Sequence, residues 1–169
     1  MTRRLTPEEA AAAMTSATPI PSGRAAARTV RTTLAGEDLD GRPARVSLDV
    51  PTLVVVLSTS CDGCRDLAEL VRSGAPSVGV LGVLRAPPEG LPDDEVAAFC
   101  GTRGRWLLGD DPFDALEVRF APYFCLLDAK GAVVVEGVAF GRSHVEAHVE
   151  RALEGRPRPD AVRLRPENR

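Results

Sequence analysis

Five consecutive apolar residues, Leu53-Val54-Val55-Val56-Leu57, stand out along the chain. An unbroken β-branched run of that length predicts a strand buried on both faces. The period then changes. Cys64, Leu67, Ala68 and Val71 recur at i, i+3, i+4 and i+7, which predicts a helix from Asp62 to Ser73, stopped by Gly74 and Pro76. Ser77 to Leu84 is a second apolar strand. Pro92 to Gly101 has an acidic start and a glycine stop, as a helix does. Trp106 to Leu108 is a short strand, and Pro112 to Val118 a helical turn. Tyr123 to Leu127 and Ala132 to Val138 form a hairpin across Asp128-Ala129-Lys130-Gly131. Ser143 to Leu153 closes the pattern as an amphipathic helix, with Val145, Val149, Ala152 and Leu153 inward and Glu146 and Glu150 outward.

The first third is patterned more weakly. Thr6 to Met14 reads as a helix with a threonine cap and Pro7 at its first position. Residues 18–23 break it. Val30 to Leu34 and Ala44 to Leu48 read as two short strands joined through Glu37-Asp38-Leu39-Asp40-Gly41. The expected organisation is an N-terminal helix and extension over 1–37, one domain over 38–154, and a flexible arginine- and proline-rich tail over 155–169. Early strand–helix alternation followed by a late hairpin implies a mixed sheet between helices.

Composition changes this picture little. The chain has 169 residues, 44% apolar and 27% charged, which suits one soluble globular domain. A formal net charge of −3 argues against nucleic acid or an anionic membrane as partner. The tail arginines lack interleaved aromatics and read as solvated charge. Lys130 is the only lysine, a usage that fits a GC-rich genome. No apolar run approaches the roughly 20 residues of a membrane span. Pro7, Glu8 and Glu9 stand where a secretory signal would need apolar residues, so the expected location is cytoplasmic.

Chemistry concentrates at Cys61-Asp62-Gly63-Cys64, where the apolar strand gives way to the helix. Two thiols at this spacing can form a redox disulfide, ligate a metal, or remain an inert dithiol. No second Cys-x-x-Cys is present to complete a four-ligand site. Four cysteines are too few for a disulfide scaffold, and Cys100 and Cys125 read as small buried apolar residues. His144 and His148, four apart on one helix face, have a spacing that can hold a metal, but read as a solvated face. Trp106 reads as core, and Asp110 and Asp111 as caps.

The order of elements, with Cys-x-x-Cys after the first core strand and Pro122 just before the hairpin, resembles the thioredoxin-like superfamily. The segment from Arg119 to Gly131 is similar to its cis-proline region, and Asp38 to Pro43 resembles the entry to the TlpA-like and AhpC/TSA-like branch. The Pro-Tyr and Leu-Leu-Asp elements are similar to MauD-like members. The resemblance spans roughly residues 38 to 154. It implies an α/β thioredoxin fold, a mixed central sheet with helices on both faces and an N-terminal extension. It further implies Cys61 as attacking thiol, Cys64 as resolving thiol, and a cis Pro122 which, with Ala121, shapes a substrate-binding surface. The implied activity is thiol–disulfide exchange, with a protein disulfide as substrate, a thiol as electron donor, and no cofactor. A binding or adaptor protein of the same fold and a metal chaperone are the alternatives.

Departures from the family pattern carry information too. Ser60 precedes Cys61 where many relatives have tryptophan, and Val55 stands where many have a buried acid. Val54 and Ser58 replace the proline and threonine of peroxiredoxins, which excludes that peroxidase pattern. A helix N-terminus favours a Cys61 thiolate, whereas the Asp62 carboxylate opposes it. A thiolate so opposed stabilises the reduced form less, so a reductant or mild exchanger is expected.

Overall fold

The computed structural model describes residues 28–85 and 93–154. The expected helix at Thr6 to Met14, the break at 18–23, the start of the helix at Pro92 and the tail from Gly155 lie outside those residues.

Seven strands form one sheet: β1 (Thr33–Glu37), β2 (Pro43–Ser47), β3 (Thr52–Ser58), β4 (Gly79–Arg85), β5 (Trp106–Leu108), β6 (Tyr123–Leu127) and β7 (Val133–Val138). Their spatial order is β2-β1-β5-β4-β3-β6-β7. The helices are α1 (Cys64–Ser73), α2 (Asp93–Cys100), α3 (Asp111–Leu116) and α4 (Arg142–Glu154). β3, β4 and β5 run parallel, joined by crossovers through α1 and α2. β6 returns antiparallel to β3, and β7 antiparallel to β6. The sheet is mixed, as the sequence implied.

β3 is an interior strand between β4 and β6, and its apolar run divides by parity as a strand must. Leu53, Val55 and Leu57 pack with α1, α2 and α4 on one face. Val54 and Val56 pack on the other with Leu34 and Leu48 and with Phe113 and Leu116 of α3. All five are at most 1% exposed, so neither face could carry a polar residue without leaving it unpaired. On α1 the stripe Cys64, Leu67, Ala68 and Val71 is buried, joined by Leu70. On α4 Val145 and Val149 are buried, and Ala152 and Leu153 are partly buried against the same cluster.

The first hairpin sits closer to its turn than the sequence pattern placed it. Thr33 pairs with Ser47 and Glu37 with Pro43, three residues beyond the expected start at Val30. The Asp38 carboxylate explains the shift. It accepts hydrogen bonds from the Asp40 and Arg42 amides, both at 2.9 Å, and Gly41 takes φ +72°. That closes a short turn and lets pairing begin at once. Glu37 also pairs with Leu108 of β5, so Thr33–Glu37, which lie before the expected boundary at 38, belong to the same sheet.

Candidate active site

The parallel strands β3 and β4 end at one edge of the sheet, and the chain turns there twice before α1 begins. The Cys61 amide donates to the Ser58 carbonyl at 3.3 Å, and the Cys64 amide to the Cys61 carbonyl at 3.0 Å. The hydroxyls of Ser58 and Ser60 lie 2.9 Å apart, and the Ser60 amide donates to Ser58 Oγ at 3.3 Å. These bonds hold Asp62 and Gly63 in the second turn. The helix therefore starts at Cys64, two residues later than the pattern suggested. Gly63 occupies the cap position without a side-chain cap, so no capping side chain takes the first-turn amides.

Cys61 and Cys64 are joined as a disulfide with Cα atoms 5.3 Å apart. The two sulfurs are not equivalent. Cys64 is fully buried within the apolar cluster of α1, whereas Cys61 is partly exposed at its edge. Asp62 and Gly63 are exposed between them. An incoming group reaches Cys61 first. Val55, at the position of the expected acid, is fully buried in the same cluster as Cys64 and offers no proton acceptor.

Pro122 follows a cis Ala121–Pro122 bond. Tyr123 pairs with Val56 near the end of β3, which brings Pro122 and Ala121 to the dithiol end of the sheet. Pro122, Ala121 and the cysteines thus come together from positions about sixty residues apart in the chain. Two further contacts complete this edge, and neither was visible in the sequence. The Ala139 amide donates to the Pro122 carbonyl at 3.2 Å. The Arg142 amide donates to Asp66 Oδ2, on the first turn of α1, at 2.9 Å. Phe140 lies between these two anchors and is 80% exposed.

Behind the cis-proline loop, Tyr123 Oη donates to Glu136 at 2.5 Å and Arg28 pairs with the same carboxylate. Burial opposes ionisation of Glu136, but hydrogen bonds from Arg28 and Tyr123 prevail and hold its pKa below the ordinary value. Arg28 also donates to the Leu116 carbonyl, tying this pair to the end of α3.

The remaining candidates fall outside the site. Cys100 and Cys125 are fully buried, and burial pushes each thiol up to about 12, so neither is a nucleophile near neutral pH. His144 and His148 do share a helix face, but that face is not simply solvated. Their rings are 4.6 Å apart and pack on Phe124, with His144 also against Phe140. His144 Nδ1 is buried without a hydrogen-bond partner among the described residues. Phe124, from β6 some twenty residues earlier, and Phe140, just before α4, make the difference. Among the described residues no three His, Cys, Asp or Glu side chains are grouped to hold a metal. Among them, too, no helix is long and apolar enough to cross a membrane.

No family model matches this sequence, and no curated protein matches it. Solved structures do. A thiol:disulfide interchange protein from Bacteroides sp. superposes with a TM-score of 0.60 at 20% identity, over 83% of this chain and 98% of its own. The thioredoxin domain of a thiol-disulfide oxidoreductase from Bacteroides vulgatus gives 0.56 at 18% identity, over 75% and 97%. A secreted Mycobacterium tuberculosis disulfide oxidoreductase, described as homologous to E. coli DsbE, gives 0.54 at 14%, over 69% and 94%. At these identities the likeness is one of fold, and it matches the resemblance read from the sequence: this chain has the thioredoxin fold, with a Cys-x-x-Cys disulfide at its β3–α1 junction and a cis-proline at the same edge.

Proposed function

We propose that this protein is a thiol–disulfide oxidoreductase that reduces, or mildly exchanges, a disulfide of a protein substrate. The observation that carries this reading is the unequal exposure of the two sulfurs beside cis Pro122: Cys61 at the edge, Cys64 buried behind it. In the reduced form the Cys61 thiolate attacks one sulfur of the substrate disulfide. A mixed disulfide forms and the other substrate sulfur leaves as a thiolate. Cys64 then loses its proton and attacks Cys61 Sγ, which closes the Cys61–Cys64 disulfide and releases the second substrate thiolate. Two electrons have passed to the substrate, and a thiol donor must return them.

Local groups set the direction. Uncapped first-turn amides of α1 favour a thiolate at Cys61, and the neighbouring Asp62 carboxylate opposes it. The opposition weakens the preference for the reduced form that makes a strong oxidant. Equilibration with glutathione buffers, read by thiol alkylation and mass, is therefore expected to give a potential of roughly −200 to −280 mV. A value near −120 mV, characteristic of strong oxidants, contradicts the direction proposed here. A pair that forms no reversible couple contradicts turnover altogether and leaves a binding protein of this fold.

A further inference from the structure

A cavity of about 300 Å3 opens beside the dithiol turn, lined by Thr59, Arg65, Glu95, Ala98 and Phe99. Thr59 and Arg65 flank the Ser60–Cys64 stretch in sequence, so one wall of the cavity is built by the residues on either side of the dithiol turn. The opposite wall is α2. Arg65 and Glu95 place one positive and one negative group in the same small space. Neither side chain has a hydrogen bond or ion pair among the described residues, and the two do not pair with each other. Arg72, on the same helix, is by contrast paired with Glu69 and bonded to the Phe99 carbonyl. The volume lies at the lower end of ligand pockets and suits a molecule of amino-acid to short-peptide size.

Resting on the thiol–disulfide reading above, we propose that this cavity receives the reducing co-substrate, a small thiol that carries both a carboxylate and an ammonium group. The carboxylate meets Arg65 and the ammonium meets Glu95, with Phe99 and Ala98 as the apolar floor. The thiol then reaches the exposed sulfur, since Cys64 is buried. The thiolate of the first molecule attacks Cys61 Sγ, forming a mixed disulfide as Cys64 leaves as a thiolate and takes up a proton. A second molecule attacks the sulfur of the bound thiol, releasing the small disulfide and the Cys61 thiolate, which is protonated in turn. Two small thiols are oxidised to one disulfide, and Cys61–Cys64 is reduced.

The test uses the oxidised full-length protein and measures the rate of dithiol appearance by alkylation and mass. The probes are cysteine (both charges), N-acetylcysteine (carboxylate only), cysteamine (ammonium only) and 2-mercaptoethanol (neither). Each rate is divided by that thiol's rate with a free small-molecule disulfide, which removes differences in intrinsic reactivity. Each matched charge is expected to raise the normalised rate about two- to fivefold, the range of an exposed ion pair. Arg65→Gln should abolish the advantage of the carboxylate and Glu95→Gln that of the ammonium, while reduction by dithiothreitol stays unchanged. Equal normalised rates for all four probes overturn the proposal, as does a preference that survives Arg65→Gln and Glu95→Gln together. If dithiothreitol itself fails to reduce the wild-type pair, the thiol–disulfide reading falls, and this proposal with it.

Discussion

Cys61 and Cys64 are three residues apart, yet their surroundings leave one partly exposed and the other buried. Cys64 belongs to the apolar stripe of α1 and is sealed under it; Cys61 sits one turn earlier, where the backbone is still leaving β3. The residue between them with the clearest effect is Asp62. Its exposed carboxylate opposes a second negative charge at Cys61, with a strength limited by solvent screening. Asp62→Asn is therefore expected to speed iodoacetamide labelling of reduced Cys61 at pH 7 about two- to threefold, without changing the unfolding midpoint. Unchanged or slower labelling would remove Asp62 from the account. At this scale the sequence was readable, because the motif is local and its neighbours in the chain are its neighbours in space. Pro122 was readable only with the hairpin that follows it. Asp66 was not, because its importance comes from a contact with Arg142, 76 residues along the chain.

The elements follow from patterns that only one structure satisfies. Leu53–Leu57 has no polar position, so it had to lie inside the sheet with both faces covered, and it does. β1 lies three residues and β2 one residue nearer the turn than the pattern placed them, and the deciding group is the Asp38 carboxylate in the turn. β4 shows how tightly the sheet meets its neighbours. Gly82 pairs with Trp106 of β5, and a Cβ added at Gly82 would fall inside the contact envelope of the indole ring. That ring is pinned: it packs edge-on to Phe99, and its Nε1 donates to the Arg103 carbonyl at 3.2 Å. Gly82→Ala should destabilise the protein by about 1–3 kcal/mol in urea unfolding, the usual effect of overpacking. A cost below about 0.5 kcal/mol would mean that Trp106 moves aside freely.

Across the whole molecule, the edge that carries the dithiol is assembled from three distant stretches: the dithiol turn, the cis-proline loop and the start of α4. The bond from the Arg142 amide to Asp66 spans 76 residues, and nothing in a local pattern announces it. The same long-range packing changes the meaning of the histidines. Burial, then His144, then Arg151 lower the pKa of His148 from its ordinary value of 6.5. The unfolded chain thus binds a proton more readily than the folded one, and stability rises with pH through this interval. The contribution is complete above about 6.5 and is lost as pH falls from there through the lower folded value. Urea midpoints measured from pH 7.5 to 5.5 should fall more for the wild type than for His148→Gln. Parallel slopes would assign the pH dependence elsewhere.

The central claim is that Cys61 attacks and Cys64 resolves, and one experiment addresses it directly. Reduced Cys64→Ser and Cys61→Ser proteins are each mixed with a disulfide-containing protein such as insulin, quenched with acid, and separated without reductant. The predicted result is a stable mixed disulfide with Cys64→Ser, mapped to Cys61 by peptide mass, and almost none with Cys61→Ser, whose remaining thiols, Cys64, Cys100 and Cys125, are all buried. Equal trapping by both variants, or no trapping by Cys64→Ser when the same protein folds normally, would contradict the assignment.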